Sequence, residues 1–305
     1  MFSMFGKGEL GANMEDRCPT TASPVTMQNW VHKRSAAQVL VRAIRTSTTS
    51  MATLDVHWSP DIDAVFRCLG AYSPLIVIET VRQSVIATAH HLLGVELGTA
   101  FMMREIDVEF LGFASIRDVS EEGVSLTVEV ECAARIRNTQ HWTIRIRVDD
   151  SDVARATGIS MLAVQPLYAR LRGGRAHKLI ESVKVEANRS LSSRGRDGCL
   201  GRLGGVPVLH VDQDHPVFFD HPLDHVPGLL VIEAALQVPL IGEFAVRFPI
   251  ARVVAAFSTF IELDVPCYVT WNDDDYGWHA TFTQGTETKS VVRVDLGGAP
   301  MAGQG

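Results

Sequence analysis

The sequence lacks any run of the ~20 uninterrupted apolar residues that a helix needs to cross a bilayer. Its nearest approach, Leu75 to Leu93, is broken by Glu79, Arg82, Gln83, His90 and His91 and reads as a core helix, so no membrane partner is expected. The start of the chain carries Lys7 but also Glu9, Glu15 and Asp16. It has neither the apolar block nor the small-residue cleavage site of a secretory signal, so the expected location is the cytoplasm. Cysteine is sparse: Cys18, Cys68, Cys132, Cys199 and Cys267 are odd in number, scattered and without a CxxC pair. That pattern excludes a Cys-built zinc site and fits free thiols in a reducing compartment. A concentrated positive field is missing too. The net charge of −7 gives the molecule no electrostatic reason to bind nucleic acid, and none is expected as a partner.

What the chain does have is apolar residue to spare. With 46% hydrophobic and 21% charged residues in 305, it can bury a substantial core and has room for two small domains. An internal repeat points to two. Ile76-Val77-Ile78-Glu79-Thr80-Val81-Arg82-Gln83 matches Leu230-Val231-Ile232-Glu233-Ala234-Ala235-Leu236-Gln237 at a constant offset of 154, and each copy follows a proline, Pro74 or Pro227. β-branched runs separated by turn residues follow each copy. The first set is Phe101–Leu111, Val124–Cys132, His141–Val148 and Ala154–Ala163. The second is Ala251–Leu263, Cys267–Trp271, Trp278–Gln284 and Lys289–Leu296.

Each half therefore reads as one helix followed by four strands. That order excludes a doubly wound α/β protein and favours antiparallel sheet wrapped round a helix. The helix carries Leu75, Ile76, Val77, Ile78, Val81, Val85, Ile86 and Ala89 on nearly every side, as an enclosed helix must. The expected fold is α+β, a tandem hot-dog with two antiparallel sheets, each around a long central helix. Its expected divisions are a disordered tail at 1–28, a first repeat at 29–165, a basic Gly-rich linker at 166–205, a second repeat at 206–297 and a tail at 298–305. One strand is expected in the linker near Leu179–Ala187. The two repeats would form a pseudo-dimer within one chain.

Several polar residues stand out against this apolar background. His221 lies just before the second helix in a stretch that Pro216, Pro222 and Pro227 should keep extended, which would present its ring at a pocket edge. It could act as a general base or hold a carbonyl. Gly228 opens the helix, where unpaired N–H groups and the absence of a side chain make a natural oxyanion hole. Arg82, three residues after Glu79, shares a helix face with it; the pair is either a phosphate fork or a structural ion pair. Glu233 and Gln237 repeat Glu79 and Gln83, and an acid on so apolar a helix needs a partner. Pro239 should kink the second helix or end it early. Asp220, Asp224, His215 and His225 crowd round His221. The prolines among them leave no clean metal-binding spacing, so no metal is expected and the aspartates would orient the histidines. His32, Lys33 and Arg34 read as a solvated strand start or a guard at an entrance. Arg170, Arg172, Arg175, Lys178, Arg189, Arg194, Arg196 and Arg202 read as a solvated loop or a docking face for an acidic carrier protein.

The segment from His215 through Asp220-His221-Pro222-Leu223-Asp224-His225-Val226-Pro227-Gly228 to Leu230 closely resembles the signature of the AfsA family. Val31-His32-Lys33 and Glu79-Thr80-Val81-Arg82-Gln83 resemble that family's other landmarks, and the likeness runs from Trp30 to Leu296. It implies an acyltransferase that moves a β-ketoacyl group from an acyl carrier protein to the hydroxyl of dihydroxyacetone phosphate. The ester then cyclises toward the butyrolactone or furan signals that control antibiotic production. It implies no cofactor. By the same resemblance the catalytic set is His221, Glu79, Gly228 and Glu233, with Arg82, Gln83, Asp220, Asp224, His225 and Gln237 contacting substrate. More distantly the segment is similar to the hot-dog dehydratases, although the gap of 12 from His221 to Glu233 is two residues shorter than theirs. In such folds the histidine of one unit meets the acid of the other, so His221 should face Glu79. At the offset of 154 its first-half counterpart is Arg67, so one working site is expected, with the proton going to His221 or Glu79. The alternatives are a dehydratase or thioesterase on carrier-bound chains and a non-catalytic acyl-ligand-binding regulator.

Overall fold

The computed structural model describes residues 24–68, 71–116, 118, 120–187, 198–242, 244–246 and 248–298. Helix α1 (Pro24–Trp30) begins inside the stretch expected to be tail. Strands β1 (Val41–Ser47) and β2 (Met51–Trp58) follow, then the short pair β3 (Arg67–Cys68) and β4 (Ala71–Tyr72). Helix α2 (Pro74–Leu92) starts where the sequence says it should. Pro74 fixes the first turn, and the Ser73 hydroxyl accepts from the Leu75 amide at 3.3 Å.

The rest of the first half is β5 (Ala100–Phe110), a short helix α3 (Phe113–Ile116), β6 (Val124–Cys132), β7 (Thr139–Val148) and β8 (Ser151–Ala163). The stretch expected to be linker is taken up by a helix, α4 (Gln165–Arg172), and two short strands, β9 (Glu186–Ala187) and β10 (Leu200–Leu203), and β11 (Val206–Leu209) lies just past its expected end. The strand expected near Leu179–Ala187 is reduced to the two residues of β9. Helix α5 (Gly228–Gly242) and β12 (Ile250–Phe257), β13 (Tyr268–Asp274), β14 (Gly277–Gln284) and β15 (Glu287–Leu296) complete the chain.

The fold is a hot-dog, with one correction to the expected architecture. Among the described residues both halves share one antiparallel sheet of 13 strands, in the order β1-β2-β6-β7-β8-β5-β12-β15-β14-β13-β11-β10-β9, with β3 and β4 paired apart from it. Read outward from the β5–β12 junction, the two halves mirror each other, with β5, β8, β7, β6, β2, β1 answering β12, β15, β14, β13, β11, β10. The junction pairs Ile106 with Ala255 and Val108 with Val253, so the equivalent strands of the two repeats hydrogen-bond to each other across an approximate two-fold. Strands also precede each helix, so the reading of one helix then four strands undercounts both halves.

Helices α2 and α5 are both deeply buried and touch each other. Pro239 shortens α5 to 15 residues against 19 in α2. A proline cannot donate to the carbonyl four residues back. That carbonyl, on Ala235, accepts from the indole N–H of Trp278 at 2.8 Å instead. Of the cysteine side chains described, Cys132, Cys199 and Cys267 are buried. Among the described residues no helix is long and apolar enough to cross a membrane.

Candidate functional site

A cavity of about 770 Å³ opens where the two halves meet, lined from the first half by His32, Arg82, Val85 and Phe101 and from the second by Asp220, His221, Gly228 and Phe257. His221 is put there by contacts between the halves. The segment around it is not extended as expected: His215 closes a turn, accepting from the Phe219 amide through its carbonyl and from the Val217 and Phe218 amides through Nδ1. The outer face of this turn is clasped by the first half. Gln38 Nε2 donates to the Pro216 carbonyl at 2.5 Å, Lys33 Nζ to the Val217 carbonyl at 3.4 Å, and the Arg34 amide to Asp220 Oδ2 at 3.0 Å.

Asp220 in turn holds His221, with its Oδ1 2.5 Å from the ring Nδ1. An ionised carboxylate can only accept, so Nδ1 carries the proton of this bond, and in the uncharged tautomer Nε2 is the bare nitrogen. Burial would raise the Asp220 carboxyl, but the bond from His221 and the charge of Lys33 hold it below the usual carboxylate range.

Arg82 also lines the cavity. Its Nε and Nη2 donate to Glu79 Oε2 and Oε1 at 2.7 and 2.9 Å. Glu79 also accepts from Gln83 Nε2 at 2.7 Å and pairs with Lys33 at 3.3 Å. The carboxyl is fully buried, yet Arg82 and Lys33 together outweigh desolvation and bring it down to about 2. Glu79 therefore sits behind Arg82 and does not line the cavity, which makes it a holder of cations and a poor proton acceptor. Gln83 is also withdrawn. Its oxygen accepts from the Leu40 amide and its nitrogen donates to the Gln38 carbonyl, each at 2.8 Å.

The repeat is exact in its interior and broken at the cavity. Gln237 Nε2 donates to Glu233 Oε1 at 2.8 Å and its oxygen accepts from the Cys199 amide at 2.9 Å, so the structure brings neither Glu233 nor Gln237 to the cavity. Arg67, the counterpart of His221, donates to the Pro60 carbonyl at 3.0 Å.

Gly228 does line the cavity, beside Leu229. First-turn amides have no intrahelical acceptor, so these two N–H groups are available to an oxygen in the cavity. A Cβ on Gly228 would stand 3.2 Å from the Phe257 ring, so the missing side chain also lets this ring close over the helix start.

Asp224 and His225 reach a neighbouring part of the cavity in a separate network. Asp224 Oδ1 accepts from Tyr168 at 2.6 Å, from His225 Nδ1 at 2.8 Å and from Arg172 Nε at 3.2 Å, and Oδ2 accepts from the His177 amide at 2.9 Å. Burial alone would raise this carboxyl, but these donors push it far below the carboxylate range. Arg172 also forks onto Glu262 and lies 4.3 Å above the Phe260 ring. Arg172 is therefore buried in an ion cluster and does not lie in a solvated loop, while Arg175 pairs with Asp264 at the surface. Arg170, Lys178 and Arg202 are exposed, while Arg189, Arg194 and Arg196 lie outside the described residues.

Sequence reasoning missed Lys33 and the pairing of His32 with His90. Lys33 is buried against Glu79, where a solvated strand start was expected; its place directly after His32 in a family landmark was the one available signal. His32 Nε2 lies 2.9 Å from His90 Nε2, and His90 Nδ1 lies 2.6 Å from the Val95 carbonyl. Burial, then His90 and Arg82, lower His32 to about 3, so the ring is neutral.

The sequence profile of the AfsA family, the A-factor biosynthesis hotdog domain, matches residues 15–163 and 206–302. The chain belongs to the AfsA family. As a member it is similar to the 2-oxo-3-(phosphooxy)propyl 3-oxoalkanoate synthase of Streptomyces virginiae, with 28% identity over 261 residues covering 78% of this chain and 84% of that one. The enzyme of the same name from Streptomyces coelicolor is 29% identical over 214 residues, 65% of this chain and 66% of its own. Among solved structures, an oleoyl thioesterase from Lactobacillus plantarum superposes with a TM-score of 0.51 and 13% identity over 81% of this chain and 96% of that one, a likeness of fold alone.

Proposed function

We propose that this AfsA-family chain transfers a 3-oxoacyl group from a carrier-bound thioester to the hydroxyl of dihydroxyacetone phosphate. The ester would feed the biosynthesis of butyrolactone or furan signals. The relatives' name supports this reading, because a 2-oxo-3-(phosphooxy)propyl ester of a 3-oxoalkanoic acid is what that transfer yields. The observation that carries it is the meeting in one cavity of His221 with a bare nitrogen, Arg82 with its guanidinium edge, and the free first-turn amides of Gly228 and Leu229.

In the proposed step the phosphate lies against Arg82, which offers a planar fork that Glu79 keeps oriented. The acceptor's O–H bond breaks as His221 Nε2 takes the proton, and Asp220 stabilises the imidazolium. The oxygen adds to the thioester carbonyl, whose developing negative charge falls on the amides of Gly228 and Leu229. The C–S bond then breaks and the thiolate recovers the proton from His221. The step uses no cofactor. The apolar walls serve it by keeping out water, which would otherwise hydrolyse the thioester.

Mass spectrometry of the purified protein with a 3-oxoacyl thioester and dihydroxyacetone phosphate is the test. The expected product is the phosphorylated ester or its cyclised butenolide. Release of free acid with no ester would replace transfer by hydrolysis, and conversion of a 3-hydroxyacyl thioester to the enoyl thioester in a parallel assay would replace it by dehydration.

A further inference from the structure

The interior positions of β8 are unusually small. Ala154, Ala156, Gly158 and Ser160 alternate along it, and the last two line the cavity. Gly158 sits between large neighbours, because the register places Trp142 of β7 on one side of it and Ile106 of β5 on the other, and both also line the cavity. Its φ is not in the left-handed region, so no turn conformation calls for glycine there. A Cβ at Gly158 would meet only the Glu105 carbonyl, at 3.2 Å, and no other atom within 4 Å. Glycine inside a strand weakens it and commonly marks the close approach of a ligand. Here it leaves a gap in the side-chain layer of the cavity, which Val81, Val85 and Ile86 of α2, within about one turn of Arg82, also line.

We propose that the acyl chain of the donor lies across Gly158 in the groove between Ile106 and Trp142, and that the Trp142 ring sets the length of chain the site accepts. The walls are apolar, so they fit the hydrocarbon tail and not the phosphorylated acceptor, whose partner is Arg82. The proposal rests on the acyl-transfer reading and identifies which substrate fills which end of the cavity. Trp142 is a clean place to probe it. Its buried indole N–H has no hydrogen-bond partner among the described residues, so Trp142→Phe removes volume without breaking a bond.

The test takes the full chain and a graded series of straight-chain 3-oxoacyl N-acetylcysteamine thioesters, with dihydroxyacetone phosphate as acceptor. Calorimetric binding of matching unreactive amide analogues accompanies it. Gly158→Val should lower kcat/KM for the longest donors by ~10-fold or more relative to the shortest, since each methylene excluded from an apolar pocket costs about that factor. Trp142→Phe should move the optimum to longer chains. If Gly158→Val does not fold, Gly158→Ala with Trp142→Phe carries the same comparison. Equal effects on all chain lengths in these variants, or none, would overturn the proposal. If the wild-type chain forms no ester but still binds the amides with a length preference that Gly158→Val shortens, the acyl-transfer reading falls and the acyl groove stands.

Discussion

Arg82 grips both oxygens of Glu79, one helical turn behind it, while 26% of its own side chain stays open and that of Glu79 stays fully buried. The ion pair and the substrate-facing role, which look like rival readings in the sequence, are therefore one arrangement in the fold. The acid sits behind the arginine and aims it.

This arrangement predicts a split in kinetics. Arg82→Leu should raise KM for dihydroxyacetone phosphate by ~10-fold or more, the loss expected when a charged hydrogen-bonding partner is removed, with a much smaller change in KM for the thioester. Steady-state kinetics with each substrate varied in turn decides it. Equal increases for both substrates would remove Arg82 from the acceptor's site.

Glu79→Ala should behave differently, because it strands Lys33 and Arg82 as uncompensated cations in a buried place. A loss of ~3–5 kcal/mol in urea unfolding is expected. Acid acts on the same bond. The Glu79 carboxyl lies near 2 in the folded chain against an ordinary value of 4.5, so its contribution is complete above pH 4.5 and is lost as pH falls toward 2. Unfolding curves across that window should be flatter in Glu79→Gln than in the wild type.

The Asp220–His221 pair predicts an ordering of turnover. His221→Ala should lower kcat by ~10²–10⁴, the range for loss of a general base, and Asp220→Asn by less, because the ring remains but its tautomer is no longer imposed. Rapid-quench measurement of ester formation compares them. An Asp220→Asn variant as slow as His221→Ala would give the carboxylate a larger part than orientation.

His32 predicts an acid sensitivity that sets in at higher pH. Its folded value near 3 lies below the ordinary 6.5, so the folded chain binds a proton less readily than the unfolded one, and stability declines as pH falls from 6.5 toward 3. His32→Asn should remove part of that decline between pH 7 and pH 5. Identical pH dependence in variant and wild type would mean that His32 is not held neutral.

Much of the candidate site was legible where its parts lie close together in the chain. Glu79, Arg82 and Gln83 share a helix turn, and Asp220 adjoins His221, so spacing alone announced both groups. The clamp between the halves was not legible. Lys33 meets Glu79 and Val217, and Arg172 meets Asp224 and Glu262, across separations that leave no periodic trace. Glu233 shows the opposite failure. It repeats Glu79 faithfully on an equivalent helix, but the equivalent of Arg82 is Leu236, and among the described residues the cavity is lined by Arg82 and not by Glu233.

The sequence by itself determined the repeat, the two buried helices, most of the long strands and the family, because these depend on local periodicity and on contiguous motifs. Only the tertiary structure decided that the halves share one sheet through β5 and β12, that Glu79 stands behind Arg82 and outside the cavity, and that a glycine in β8 leaves room within it. Each of these depends on which strand edge pairs with which and on the distance between side chains remote in sequence. Burial and pairing energies fix such relations only once the whole chain has closed on itself.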